Sequence, residues 1–512
     1  MQAALNDSSA RRSTNAAAPG STREMLITIT VMLGVIMAII DTTIVNVALG
    51  TIAGNLGAST DEVSWVATGY ILANVIVMPL NGWLTAYLGR KRFYAASLAI
   101  FTIASLLCGT ATSIWQLVFY RVLQGFGGGA LQPTAQAILF ETYPAAKRGA
   151  AMAIFGLGAM VGPAVGPTLG GYLVDNASWP LIFFINVPIG ILAVVMTLAF
   201  IPNPSYIEKP KSGIDWTGLG LMTAGLASLQ YVLERGQHDD WFNSSTITIL
   251  TITSVITLTI FVLKVLRDKE PLVDLRVFRY LSYTIGNILG VISGFGLYGT
   301  ALILPLFMQE TLGFTAFDTG LALMPGAGAT AISMLVAGRL VNRMDPRALI
   351  AFGFLMFALS TWWLGGLTTQ ADYWNIFWPR VVQGLGLGFL FVPLSTVSLG
   401  VIPMAEMANA TGIYSLVRQL GGSFGIAILT TLLERHTAIA WNELASGVTQ
   451  THGVSIATLT QLVAQQATMI AYNYLFQFCA VVFLIAIPLV LFMRSPKREA
   501  AAAAAAAAMM AE

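Results

Sequence analysis

Met25 to Gly50 reads MLITITVMLGVIMAIIDTTIVNVALG, an apolar run of helical length with a single charge in it, Asp41. About 20 mostly apolar residues cross a bilayer as a helix, so this segment is read as a transmembrane span. No other span predicted below carries an acidic side chain at such depth. Insertion scales put a charge at a helix centre at roughly 2.5–3.5 kcal/mol. A carboxylate kept at that cost is protonatable, paired, or turned toward a wet cavity, and all three conditions suit a proton-coupled transporter.

The rest of the chain follows the same pattern. Of 512 residues 56% are apolar and 10% charged, with a mean hydropathy of +0.75. The 26 basic against 24 acidic residues form no concentrated basic patch of the kind a nucleic-acid partner requires. Windows of spanning length predict fourteen helices, near 25–48, 63–83, 93–111, 115–139, 149–173, 181–201, 215–233, 245–266, 282–308, 319–340, 348–367, 375–400, 407–433 and 469–493. An even number puts both termini on one side.

Loop charges say which side. Lys and Arg are enriched in cytoplasmic loops, and alternate connections are basic: Arg90/Lys91/Arg92, Lys147/Arg148, Lys209/Lys211, Lys264 to Arg279, and Arg339/Arg343/Arg347. The connection near Pro403 and Glu406 has none, and among outer loops only Arg235 and Arg435 are basic. Both termini are therefore predicted to be cytoplasmic. Residues 1–22 lack the apolar core of a signal peptide and read as a disordered tail, and 495–512 read as a low-complexity tail rich in Ala.

An internal repeat divides the chain. Arg121-Val122-Leu123-Gln124-Gly125 returns as Arg380-Val381-Val382-Gln383-Gly384, and Gly82-Trp83-Leu84 with Arg90 returns at almost the same offset as Gly338-Arg339-Leu340 with Arg347. The expected organisation is all-α: an N-terminal six-helix half over 23–201, two inserted helices and a cytoplasmic linker over 202–280, and a C-terminal six-helix half over 281–494. The longest outer loop, 434–468, is read as an amphipathic helical hairpin. Parallel repeats mark transporters that rock two halves around a midplane site.

These residues resemble the fourteen-span drug:proton antiporter branch of the major facilitator superfamily, the EmrB- and QacA-like proteins. Asp41-Thr42-Thr43-Ile44-Val45-Asn46 is similar to the first-span signature, and Arg121 with Gln124-Gly125 to the fourth-span motif linked to proton coupling. Gly162, Gly166-Pro167 and Gly170-Gly171 resemble the fifth-span antiporter motif, and Ile185-Asn186-Val187-Pro188 the entry to the sixth span. The resemblance implies a major facilitator fold in the bacterial inner membrane. It also implies efflux of hydrophobic small molecules driven by the proton gradient, with no cofactor and no metal. A periplasmic adaptor and an outer-membrane channel are the implied partners of the outer hairpin, unless that segment is a solvated spacer.

One position departs from the pattern. The loop after the second span reads Gly82-Trp83-Leu84-Thr85-Ala86-Tyr87-Leu88-Gly89-Arg90-Lys91, with Ala86 where the superfamily has Asp. The usual charge latch cannot form, so other contacts must stabilise the outward-facing state. Gly89 still permits a tight turn.

Asp41 is the expected proton carrier, with Arg121 favouring its ionised form by proximity; bracing of its own helix through Thr42, Thr43 or Asn46 is the alternative. Gly162, Pro163, Gly166, Pro167, Gly170 and Gly171 are read as a gating seam between the halves, since glycines every four residues allow close approach and prolines bend the helix. Arg380 has no evident acidic partner and is either structural or in contact with an anionic substrate. Arg418, also within a span, must face the protein interior. Asn46, Asn74, Gln124, Gln383 and Gln419 line a wet cavity or link helices by hydrogen bonds.

Other functions find less support. Cys108 and Cys479 read as free buried thiols, and His238, His436 and His452 have no metal-ligand spacing. No phosphate-binding loop and no nucleophile–base set is visible, which argues against an ATP-driven pump and an enzyme. A proton-coupled exporter or symporter of one specific metabolite stays as the alternative to multidrug efflux.

Overall fold

The computed structural model describes residues 22–204, 206, 208–210, 213–447 and 455–493, without the side chains of Pro163, Ala164 and Ala316. Apart from Thr22, both predicted tails lie outside these residues.

Hydrocarbon offers no hydrogen bonds to the backbone, so each crossing segment must satisfy its own amides as a helix. Fourteen long helices do so among the described residues: α1 Thr22–Leu56, α2 Thr60–Leu88, α3 Arg90–Gly109, α4 Ile114–Thr142, α5 Arg148–Asn176, α6 Leu181–Phe200 and α7 Trp216–Arg235. Then come α8 Ser245–Arg267, α9 Leu281–Leu306, α10 Ala316–Leu340, α11 Pro346–Leu364, α12 Tyr373–Gly400, α13 Met407–Gly447 and α14 Ile456–Val490. Twelve are long and apolar enough to cross a membrane by that measure alone. The exceptions are α4, which carries Arg121, Gln124, Gln132 and Gln136, and α7, which carries Gln230, Glu234 and Arg235. Neighbouring helices flank both.

Where the chain re-enters the bundle, side chains cap the exposed amides. Ser59 and Glu62 form a reciprocal capping box on α2, as Thr315 and Asp318 do on α10. Ser113 caps α4, and Asp372 with Asn375 caps α12. The sequence repeat thus extends to the helix starts.

Packing repeats too. α2 lies along α4, α3 along α4, α1 along α5 and α3 along α6; in the second half α10 lies along α12, α11 along α12, α9 along α13 and α11 along α14. The glycines explain this geometry. On α4 a side chain at Gly125 or Gly129 would strike the α2 backbone at Tyr70 or Asn74, and one at Gly127 would strike α3 at Phe101. Gly384, Gly388 and Gly386 play the same parts on α12 against α10 and α11.

The inserted helices α7 and α8 pack on each other, and α7 also touches α2 and α13. Gln230 donates to Ser423 of α13 at 2.8 Å, and Arg235 to Ser64 of α2 at 2.9 Å. The predicted outer loop is largely helix, as expected of a hairpin. Its arms are continuations of the spans, since α13 runs to Gly447 and α14 already begins at Ile456.

The halves meet at the end that carries the basic loops. Gly149 of α5 abuts Gly338 and Val341 of α10, and Asn342 Nδ2 donates to the Ala146 carbonyl at 2.7 Å. On the other side Gly82 abuts Asn409, Gly412 abuts Met78, and Asn81 Nδ2 donates to the Ala408 carbonyl at 2.7 Å while its Oδ1 accepts from Thr134 at 2.5 Å. These contacts join the halves at the end where Ala86 stands, in the last turn of α2. Gly156 of α5 likewise faces the second half, against Met334 and Phe391.

Further along, Gly158 and Gly162 face Met32 and Ile39, and Gly166 and Gly170 face Thr43 and Ile44, all on α1. The glycine stripe therefore belongs to the α1–α5 contact within the first half, which corrects the expectation of a seam between halves. Spacing reported close approach but could not name the partner. Pro167 is exposed, Gly171 has open space beside it, and the Pro163 side chain lies outside the described ones.

A leucine at Gly149 is expected to wedge α5 from α10. Oxidative cross-linking of a cysteine pair introduced by Ala146→Cys and Asn342→Cys should fall severalfold when Gly149→Leu is added. An unchanged yield would show that this contact does not hold the ends together.

Candidate functional site

Four helices of the first half converge on Asp41, which is fully buried at 0% exposure beside Arg121 at 1%. Arg121 Nη1 donates to Asp41 Oδ2 at 2.6 Å, and Oδ1 accepts from Gln124 Nε2 at 2.9 Å and from Asn186 Nδ2 at 2.8 Å. The carboxylate thus accepts from one cation and two amide donors. The guanidinium is fixed in turn: Nε donates to the Val66 carbonyl at 3.1 Å, Nη1 also donates to Gln124 Oε1 at 2.6 Å, and its carbon lies 4.2 Å from the centroid of the Tyr70 ring.

Local sequence explains the placement. Arg121 and Gln124 stand three apart on one face of α4, so both reach the same neighbour. Asn186 opens the second segment of α6 and is held by Ser105, to which it donates at 3.0 Å. The bracing alternative for Asp41 does not occur, because Thr42 Oγ1 donates to the Ala38 carbonyl and Thr43 Oγ1 to the carbonyls of Ile39 and Gly162.

Other predicted positions disperse. Gln124 binds the carboxylate. Asn46 is exposed on α1, Asn74 is half-buried with Oδ1 unpaired beside Gly128, and Gln419 is half-buried on α13. Asn186, Tyr70 and Ser105 were not among the candidate residues. Asn186 had a signal, its place in the Ile185-Asn186-Val187-Pro188 signature; the other two had none.

The second half holds a counterpart without the acid. Arg380 contacts Gln383 Oε1 through Nη1, and Gln383 Nε2 donates to Thr300 Oγ1 at 3.3 Å. The same offset separates Arg121 from Arg380, Gln124 from Gln383, and Asp41 from Thr300. Thr300 therefore stands where the first half has its carboxylate.

At the basic end Gly89 adopts φ +83°, the turn that glycine permits, and the Lys91 amide donates to Asn203 Oδ1 at 2.9 Å. Arg90 binds both oxygens of Glu141, with Nη2 to Oε1 at 2.7 Å, and the Tyr206 hydroxyl donates to the same carboxylate. Partial burial pushes Tyr206 up to about 12, so it remains a donor at neutral pH. Glu141→Gln strands the Arg90 charge and is expected to cost about 1–3 kcal/mol, read as a lowered unfolding temperature in detergent. An unchanged temperature would show the pair to be dispensable.

A family model for the Major Facilitator Superfamily matches residues 31–426. The chain belongs to the major facilitator superfamily. It is 36% identical to the multidrug export protein EmrB of Escherichia coli (strain K12) over 490 residues, covering 92% of this chain and 96% of that protein. It is also 36% identical over 489 residues to the fatty acid resistance protein FarB of Neisseria gonorrhoeae, with the same coverage. Among solved structures, the proton:xylose symporter XylE superposes with a TM-score of 0.61 at 14% identity, covering 93% of this chain and 97% of that one. The human organic anion transporter MFSD10 gives 0.59 at 12% identity, covering 93% and 100%. The fold is thus a major facilitator fold of two six-helix halves with two inserted helices, and the chain is a secondary transporter rather than an enzyme.

Proposed function

We propose that this transporter exports hydrophobic or amphipathic small molecules by proton antiport, with Asp41 as the proton carrier and Arg121 as the group that senses its charge. The observation that carries this reading is the buried Asp41–Arg121 pair with its two amide donors, which among the described residues occurs in the first half and not in the second. A single titratable site inside one half couples its proton to the rocking of that half, because protonation removes one charge and releases Arg121 from its partner. Kinship with EmrB supports export of several drugs.

The basic loops support a cytoplasmic location for the closed end and for both termini in a bacterial inner membrane. On that assignment the present arrangement is closed inward. The packing supports the division into halves over 23–201 and 281–494, with the insert 202–280 between them. The α1–α5 glycine stripe is where the first half would slide as the gate cycles. The hairpin formed by the outer ends of α13 and α14 offers a surface to a periplasmic adaptor and, through it, to an outer-membrane channel.

The test is dissipation of an imposed pH gradient in proteoliposomes on addition of a lipophilic drug. Proton flow opposite to the drug is expected. Flow in the same direction would replace the exporter with a symporter.

A further inference from the structure

The connection between α7 and α8, residues 236–244, is bonded to both halves. Toward the first half, Arg235 at its root donates to Ser64 Oγ at 2.9 Å and lies 3.7 Å from Asp61 Oδ1, both on α2, while Tyr231 packs on Trp65 with ring centroids 5.6 Å apart. Toward the second half, Trp241 Nε1 donates to Thr431 Oγ1 at 3.0 Å and Gln237 donates to Glu434, both on α13. The turn is bent to make these bonds. Asp240 and Trp241 adopt φ +55° and +48°, a left-handed pair that is costly for residues other than glycine and persists only where the surroundings hold it. Trp241 folds back over Gly236, where a side chain would strike its ring.

His238 stands at the centre of the contact with the first half, its side chain 54% exposed. Its Nε2 lies 2.9 Å from Asp61 Oδ1 on α2, and its Nδ1 lies 2.9 Å from Asp239 Oδ1 in the connection itself. A neutral imidazole carries one N–H and an ionised carboxylate only accepts, so both contacts are hydrogen bonds only when the ring holds two protons. In that form His238 and Arg235 are two cations for two carboxylates, since Arg235 also lies 3.7 Å from Asp239 Oδ1. With the ring neutral, Arg235 alone faces both acids, and one ring nitrogen turns its lone pair toward a carboxylate oxygen. The other acids of the surrounding elements are engaged elsewhere: Glu62 accepts from Ser59, Glu234 from Gln230, Asp240 from Asn243 and Glu434 from Gln237.

We propose that the α7–α8 connection is a pH-sensitive clasp between the two halves, closed when His238 is protonated and opened by loss of that proton. Histidine exchanges this proton between about pH 5 and 8. At the acid end of that range the chain of contacts from α2 through the connection to α13 is complete. At the alkaline end the α2 side lets go while the connection stays on α13, because the bonds of Trp241 and Gln237 involve no histidine. The clasp lies away from Asp41, at the end opposite the basic loops, so it answers to acidity on that side of the membrane.

Spin labels at Thr60→Cys on α2 and Arg435→Cys on α13, in the purified full chain in detergent, test the clasp by pulsed electron resonance. Both positions are exposed, and the native Cys108 and Cys479 are buried. From about pH 5.5 to about pH 8, across the range in which histidine titrates, the ratio of long to short distances should rise by about threefold or more, the scale of exposed ion pairs. His238→Gln should give the alkaline distribution at both values. His238→Arg, whose fixed charge can still reach two carboxylates, should give the acid distribution at both. A ratio in the parent protein that does not change with pH, or the same rise in His238→Gln, overturns the proposal. The rise should persist when Asp41→Asn is added, and its loss there would move the titration to the carrier and overturn the clasp. Because no gradient is present, a negative result leaves proton antiport standing.

Discussion

Asp41→Asn abolishes proton-driven export while the protein still folds. Asn has nearly the shape of Asp and its amide oxygen can still accept from Gln124 or Asn186, so the variant keeps the shape of the site while leaving the Arg121 charge unpaired at a cost in stability. It cannot take or release a proton, so each cycle moves substrate without exchange. The expected result is a fall of about 100-fold or more in drug efflux against a gradient, the scale of losing a positioned proton-transfer group. Downhill movement of drug persists. The measurement is substrate-induced collapse of an imposed pH gradient in proteoliposomes, compared with counterflow of the same drug. Undiminished collapse in the variant would move the carrier elsewhere.

Arg121→Gln has the largest expected effect on stability. Removing one member of a buried pair leaves the other charge uncompensated, at about 3–5 kcal/mol, and here the guanidinium also bonds to the Val66 carbonyl and packs on Tyr70. The double variant Asp41→Asn with Arg121→Gln removes both charges and should recover much of that loss. A thermal-unfolding cycle over the four proteins measures the coupling. Additive losses would mean that the two groups act independently, against the observed contact at 2.6 Å.

How much of this could be read from residues alone differs from element to element. The spans were legible because their length is dictated by the bilayer, a property of the solvent. Even α4 and α7, the least apolar, were placed by their neighbours and by the alternation of basic loops. The repeat was legible through Arg121-Val122-Leu123-Gln124-Gly125 and its copy, and the structure extends it to Thr300, which no motif marks. α13 and α14 run beyond the predicted spans 407–433 and 469–493, to Gly447 and from Ile456, because the helix continues where the apolar signal fades.

The candidate site was half legible. Asp41 stood out by cost and Arg121 by its depth, since charged side chains in hydrocarbon betray themselves singly. Asn186 and Tyr70 did not, because an amide or a phenol in a span has many satisfactory partners and only packing selects one. The glycine stripe shows the same limit from the other side: periodicity reported that a helix comes close, and packing decided that it was α1.

By itself, then, the amino-acid sequence determined the membrane class, the number of spans expected, the duplication, and which charges must be inside, and it set an expectation of sidedness. Those follow from transfer free energies, which are local to each segment. Only the tertiary structure decided that Asp41 is held by α4 and α6, that Asn81 and Gly412 join the two halves at the basic end, and that Arg418 makes no hydrogen bond or ion pair among the described residues. Such facts depend on which helices meet, and contacts between segments far apart in sequence leave no periodic trace in either one.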